Sequence, residues 1–452
     1  MRFQTTIRNS KIFSSRRLIG AALLCLCSGY AASAVSPEQA KALGRELTPL
    51  GAIAAGNSAG TIPAWRPDQA TPTDEKPLFV ITGQNYQTYA NQLTEGQKGL
   101  FQTYPDTFRM PVYPSRRDFA PPQRILDQTR VNATQVKLSD DGYGIDGGHG
   151  GIPFPIPQAG HEAMWNHLLH WRGNSGTRIA YETVVETDGS YSLVLSRQDV
   201  LSNYYASKYL DKVDNLLYSY QSFFLAPASI AGGALLVIDS LNQTRNPRQT
   251  WGYNAGERRV RRIPHVGHDS PALLSHSIRT ADDTDMFNGA LDRFDWELLG
   301  RREIYIPYHN DQLANPTLEL KQALTPFHLN PDLTRYELHR VWVVRATLRA
   351  NAKHVYSKRD FYLDEDSWSI AIADQYDRQG RLWRVSMAFL NEFTKEEPVL
   401  FPAAEVFHDL PSRRYHVQGL PSGTGAPAYQ SHKEPLPQRY FTPQSLREQG
   451  IR

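Results

Sequence analysis

The chain has 452 residues, 40% hydrophobic and 21% charged, a globular composition with enough length for a large core, which excludes a fibrous or disordered polypeptide. Its formal net charge is +3, but the first 34 residues hold 5 of the 49 Lys and Arg and none of the 46 Asp and Glu, so without them the balance is −2. A near-neutral chain lacks the electrostatic footprint of a nucleic-acid binder, and that class is set aside.

Residues 1–34 read as a cleavable secretory signal. Arg2, Arg8, Lys11, Arg16 and Arg17 form a basic start, Leu18 to Leu26 an apolar run, and Ala32-Ser33-Ala34 a small-x-small cleavage site. The apolar run is too short to span a bilayer, so no membrane-spanning segment is expected. Ser15-Arg16-Arg17 partly matches a twin-arginine signal, which leaves the export route open between that pathway and the general one. Both cysteines, Cys25 and Cys27, fall inside the signal. The mature chain then has neither disulfide nor thiolate, and its core alone must hold it.

Residues 35–130 predict an irregular, partly helical extension packed on the body. A helix starts at Pro37, and Tyr86, Tyr89, Leu93 and Leu100 share one face of a second helix over 84–102. The following Pro-rich stretch is interleaved with Tyr104, Phe108, Tyr113 and Phe119, too apolar for a solvated linker.

Next comes GIDGGHGGIPFPIP, Gly144 to Pro157. Its glycines permit close packing, and Ile152, Phe154 and Ile156 alternate with prolines to make an extended strap with one apolar edge. His149 reads here as a partner for nearby backbone rather than a catalyst. The strap leads into a helix ending at Gly173, whose Trp165 is expected to plug the sheet that follows.

From there the pattern has period two. IAYETVVETDGSYSLVLSRQ predicts a hairpin turning at Asp188-Gly189, and GALLVIDSLNQ, RQTWGYNAGERRVRRIP and GRREIYIPYH add strands. Residues 340–393 give four long alternating segments joined by short turns. Such a chain of hairpins predicts an antiparallel meander, strongly curved or an open half-barrel, with a concave face to be filled by helices, ligand or partner. The half-barrel is assigned to 131–409 and a Pro/Gly-rich tail to 410–452, where Tyr440 and Phe441 could dock on the body.

Candidate chemistry is sparse. Gly56-Asn57-Ser58-Ala59-Gly60 fits the nucleophile-elbow pattern, but neither the strand before it nor the helix after it is present, so Ser58 reads as a turn residue. His161, His167 and His170 cluster, yet the spacing from His161 to His167 is six where a zincin needs four. Asp140, Asp141 and Asp146 miss the EF-hand spacing. No catalytic residue, metal or cofactor is assigned. The apolar stretch 218–239 offers Phe223, Phe224, Leu225 and Ile230, and with Phe154, Trp165 and Trp342 these are the expected lining or gate of a hydrophobic site. Arg259 and Arg261, on one face of a basic strand, are the expected dock for an anionic headgroup or a partner.

Several segments, among them LTPLGAIAAGNSAGTIPAW, GGIPFPIPQAGHEAMWNHLLHWRG, WGYNAGERRVRRIP, LLGRREIYIPYH and YFTPQSLREQG, resemble the secreted bacterial family known as domain of unknown function 1329. The resemblance implies a mainly β fold with helices, similar to the LolA/LolB carriers, in which a curved antiparallel half-barrel plugged by helices binds acyl chains. It also implies periplasmic traffic of a hydrophobic molecule beside an RND-type exporter and an outer-membrane protein. It carries over no catalytic residue. The expectation is therefore a periplasmic binding or carrier protein for a lipid or other hydrophobic molecule. The alternatives are a hydrolase built on Ser58 or the histidines, and a cargo-free envelope adaptor.

Overall fold

The period-two segments assemble into one large sheet. A computed structural model describes residues 34–67, 75–206, 215–263, 267–394 and 396–449; residues 1–33, with the expected signal and both cysteines, lie outside them. In chain order the described strands are β1 (Phe79–Thr82), β2 (Arg109–Val112), β3 (Lys137–Leu138), β4 (Ile145–Asp146), β5 (Ser175–Val185), β6 (Val194–Leu201), β7 (Leu216–Ala226), β8 (Ala234–Ser240) and β9 (Gln249–Asn254). There follow β10 (Arg259–Ile263), β11 (Phe294–Pro307), β12 (Tyr336–Leu348), β13 (Lys358–Asp364), β14 (Ile370–Tyr376), β15 (Leu382–Phe393), β16 (Val399–Asp409), β17 (Arg414–Leu420) and β18 (Gln430–Ser431). The α-helices are α1 (Pro37–Ala40), α2 (Glu95–Thr103), α3 (Gln123–Gln135), α4 (Gly160–Leu168), α5 (Asp311–Ala314), α6 (Leu320–Ala323) and α7 (Pro443–Gln449).

Sixteen strands form the sheet, in the order β1-β2-β12-β13-β14-β15-β16-β17-β5-β6-β7-β8-β9-β10, with β11 on β12 and β18 on β5; β3 and β4 make a separate ribbon. The pairings are antiparallel apart from a single parallel bridge, Tyr336 to Val112. The hairpin predicted at Asp188-Gly189 is present, with Gly189 at φ +83°. The sheet curls. β11 lies three and four strands from β14 and β15, which in a flat sheet means roughly 14 to 19 Å. Yet its backbone approaches both within 8 Å.

Helices cover both faces of the β11–β15 region, which is why β13 and β14 are buried along almost their whole length. α2 sits on β14 and β15, where a Cβ on Gly96 would fall 2.1 Å from the Asp374 carboxylate, so only glycine lets the helix start that close. α4 packs on β11 and β12.

Two helix expectations are corrected. The segment 84–102 is a 3-10 turn, Tyr86–Gln92, followed by α2, because Thr94 and Gln97 form a reciprocal capping box that starts a new helix. α4 ends at Leu168 rather than Gly173, since the His170 ring engages the His167 carbonyl and Arg172 donates to the Leu168 carbonyl, 3.0 Å, in place of further helical bonds.

The strap runs across α4. Asn166 Oδ1 accepts from the Phe154 amide, 2.9 Å, and Asn166 Nδ2 donates to the Phe154 carbonyl, 2.7 Å. Gly51, at φ +96°, packs so tightly on it that a Cβ would lie 1.8 Å from the Pro155 carbonyl oxygen.

The segment read as a tail contributes β17, which joins β16 to β5 and so links the two halves of the sheet. Beyond it the chain crosses the outer face of β6–β10 and ends in α7. Phe441 and Leu446 are fully buried there with Leu201, Phe223, Leu236 and Tyr253, forming a second hydrophobic cluster apart from the main core.

Candidate functional site

The last four strands have unequal faces. Residues of β7 and β8 that point toward the C-terminal segment, such as Phe223 and Leu236, are buried. Polar groups fix that segment in place: Tyr440 donates to Asp199 Oδ2, 2.6 Å, and Gln221 Nε2 donates to the Tyr440 carbonyl, 2.8 Å. Residues on the opposite, inner face remain half-buried: Tyr218, Tyr220, Phe224, Leu235 and Val237. Of these only Tyr218 packs against the main core; Tyr220, Phe224, Leu235 and Val237 belong to neither hydrophobic cluster.

Register makes these residues one ledge. Tyr220 lies opposite Val237, Ser222 opposite Leu235, Leu235 opposite Gly252, and Gly252 opposite Arg261. Gly252 leaves the bed shallow, and Ile263, exposed on β10, closes its rim beside Arg259 and Arg261. Toward the centre of the sheet, Ser222 is aligned through Gln198 with Arg178 on β5.

Around Arg178 the floor is polar and incompletely satisfied. Its guanidinium lies 3.9 Å from Glu405 Oε2 and over the Phe401 ring at 5.1 Å. Arg178 Nε, Arg279 Nε, Glu405 Oε1 and both ring nitrogens of His416 are buried without a hydrogen bond. Burial lowers the Arg178 and His416 pKa values and raises that of Glu405, the direction expected where charge is poorly solvated. The other end of the ledge is roofed: Asn288 donates to the Tyr218 hydroxyl, 3.0 Å, and Arg248 pairs with Asp239 at 2.6 Å.

The residues singled out in the sequence fall in several places. Phe154, Trp165 and Trp342, 7%, 3% and 9% exposed, lie in the main core, with Arg301 stacked 3.9 Å over Trp342. Phe223 faces the C-terminal segment. Leu225 lies near the end of β7 and Ile230 within the β7–β8 connection. Phe224, Arg259 and Arg261 share the inner face. Tyr220, Leu235 and Val237 complete the ledge and were not singled out. Residues 234–238 are apolar at every position, so alternation could not tell which face would stay open.

The hydrolase elements stay apart. Ser58 is exposed on its turn, and no histidine or carboxylate hydrogen-bonds its hydroxyl among the described residues. His167 is enclosed: Nε2 donates to the Asp285 carbonyl, 2.9 Å, and Nδ1 accepts from the Ile370 amide, 3.2 Å. Burial pushes its pKa down to about 3, so it is a neutral structural partner with both nitrogens in use.

His339, Asp364 and Asp366 place ligand-type atoms within 4.8 Å of one another. Arg117, however, takes both Asp366 oxygens, Nε to Oδ2 and an η-nitrogen to Oδ1, each at 2.7 Å. Burial disfavours charge on His339, but Asp364 and Glu337 push its pKa up to about 10, so it is a cation here. The cluster is an ion network tying residues 53–63 and 117 to β12 and β13, with Arg340 and Arg301 paired to Glu365.

Fold and ledge together define a large α+β protein built on one curled antiparallel sheet, with a partly exposed apolar face at one end among the described residues. The chain belongs to the family described as protein of unknown function DUF1329, whose model matches residues 80–447. It is 41% identical over 448 residues to an uncharacterized protein of Pseudomonas aeruginosa, covering 96% of this chain and 98% of that one. Among solved structures it is similar to an outer membrane lipoprotein-sorting protein domain from Vibrio parahaemolyticus, at 14% identity and TM-score 0.42, over 61% of this chain and 92% of that one. A DUF1329 family protein from Desulfovibrio piger gives the same 14% identity, TM-score 0.42 and coverage of 61% and 92%. No described helix is long and apolar enough to cross a membrane.

Proposed function

We propose that this protein is a periplasmic binding or carrier protein for a lipid or other hydrophobic molecule. The observation that supports it is the ledge of Tyr220, Phe224, Leu235 and Val237, residues left partly exposed and outside both hydrophobic clusters, on strands whose other face buries Phe223, Leu236 and Tyr253 under the C-terminal segment. Leaving such a face open forgoes about 25 cal/mol for every Å² of apolar surface, a gain that a bound acyl or ring system would recover. The polar floor at Arg178, Glu405 and Arg279 suits the polar end of an amphipathic cargo, because Arg178 Nε, Arg279 Nε and Glu405 Oε1 are left there without a hydrogen bond. The family resemblance adds an RND-type exporter and an outer-membrane protein as working partners.

The test is native mass spectrometry and lipid extraction of protein purified from the periplasm, with displacement of a fluorescent fatty-acid probe. A co-purifying hydrophobic molecule is expected, with probe binding weakened at least tenfold in Leu235→Asp. Absence of both a co-purifying molecule and probe binding would sink the carrier reading. A stable complex with envelope proteins and no cargo would favour an adaptor instead.

A further inference from the structure

Two hairpin tips leave the sheet side by side at the end of the ledge. Ala234 on β8 pairs with Tyr253 on β9, and Tyr253 with Val260 on β10, so the β7–β8 and β9–β10 connections emerge at the same end. The first tip is uncharged: no Asp, Glu, Lys or Arg occurs from Asn215 to Ile238. Leu225 is 46% exposed there. Pro227, Ala228 and Ser229 are exposed beside it.

The second tip is basic. Arg258, Arg259, Arg261 and Arg262 are all exposed, and Arg261 is paired to Glu257 at 2.6 Å. Arg258, Arg259 and Arg262 form no ion pair among the described residues. Arg447 on α7 joins them across an open groove of about 580 Å³ also lined by Glu257, Val260 and Pro443. Trp251 stands half-buried directly opposite Arg262.

Unpaired like charges held together repel unless an anion meets them, and here they accumulate in a chain whose balance beyond residue 34 is −2. An acidic peptide would satisfy the arginines but leave the apolar tip in water. A lipid surface satisfies both, with arginines at the headgroups and Leu225 at the acyl boundary. We propose that the paired tips dock this protein on an anionic bilayer surface. The tips carry this proposal without the cargo reading. If both hold, the docked end is also the open end of the ledge.

Co-sedimentation of the full chain with phosphatidylglycerol and phosphatidylcholine vesicles tests it. Binding to the anionic vesicles alone is expected, falling with salt. The triple variant Arg258→Glu, Arg259→Glu, Arg262→Glu should bind roughly 150-fold more weakly or worse. Leu225→Asp should weaken binding about fivefold. All four side chains are exposed, so unfolding transitions should match the parent and separate lost docking from lost fold. No binding to anionic vesicles at low salt, or binding unchanged by either substitution, overturns the proposal. So does capture by polyglutamate with no vesicle binding, which makes the occupant an acidic protein segment. Because the fatty-acid probe assay uses no vesicles, its failure and this one are independent.

Discussion

Asp374 on β14 is fully buried and forms no ion pair among the described residues. Thr94 Oγ1 donates to its Oδ1 at 3.2 Å and the Tyr362 hydroxyl reaches Oδ2 at 3.4 Å. Its cross-strand neighbour is another carboxylate, Asp360, and the nearby cation, Arg345, is committed to Asp360 at 2.7 Å. Burial therefore raises the Asp374 pKa from 3.8 to about 7. A raised carboxyl pKa means that the folded state holds a proton the unfolded chain releases near pH 4, so stability falls as pH climbs from about 4 to 7 and stays reduced above.

Asparagine mimics the protonated form and removes this dependence. Between pH 5 and pH 8 about two pKa units of linkage separate the two proteins, so Asp374→Asn should gain about 3 kcal/mol on the parent over that interval. Urea denaturation of both at the two pH values measures it. Parallel pH dependence in parent and variant would refute the reasoning, as would a variant that is less stable at pH 8.

Phe154→Ala, which empties a core position on the strap, should cost about 3–5 kcal/mol. His149→Ala, at an exposed site, should stay within about 0.5 kcal/mol. Thermal or urea unfolding ranks the two, and the reverse order would reopen the question of chemistry in this loop. His167→Ala leaves the Asp285 and Phe287 carbonyls and the Ile370 amide without their partner and should destabilise by about 2–4 kcal/mol. Ser58→Ala should change neither stability nor turnover on an ester panel, and loss of ester hydrolysis in that variant would restore the hydrolase reading.

The long strands were legible because apolar and aromatic segments of strand length are bounded by short turns: β12 to β15 and the hairpin at Asp188-Gly189 stand where the pattern puts them. β17 was not, since RYHVQGL has only Tyr415 and Val417 as an apolar pair before Gly419, at φ +104°, interrupts the period. The break before α2 was missed because the aromatic spacing over 86–100 outweighed the Thr94–Gln97 capping signal. Of the ledge, Phe224 and the β10 arginines could be named from sequence, whereas Leu235 and Val237 could not, being embedded in a run apolar on both faces.

Local chemistry in the chain is enough to determine the class of fold, the strap before α4 and the basic strand at β10, because alternation, proline and charge act over a few residues. It is also enough to make 218–238 stand out as uncharged. Only the tertiary structure decided which side of that apolar segment is sealed. Phe441 and Leu446 arrive from more than 200 residues away to bury Phe223 and Leu236, and among the described residues Phe224, Leu235 and Val237 on the other face join neither hydrophobic cluster. A strand carries no local record of which face a distant segment will cover, so the open face belongs to the packing and not to the pattern.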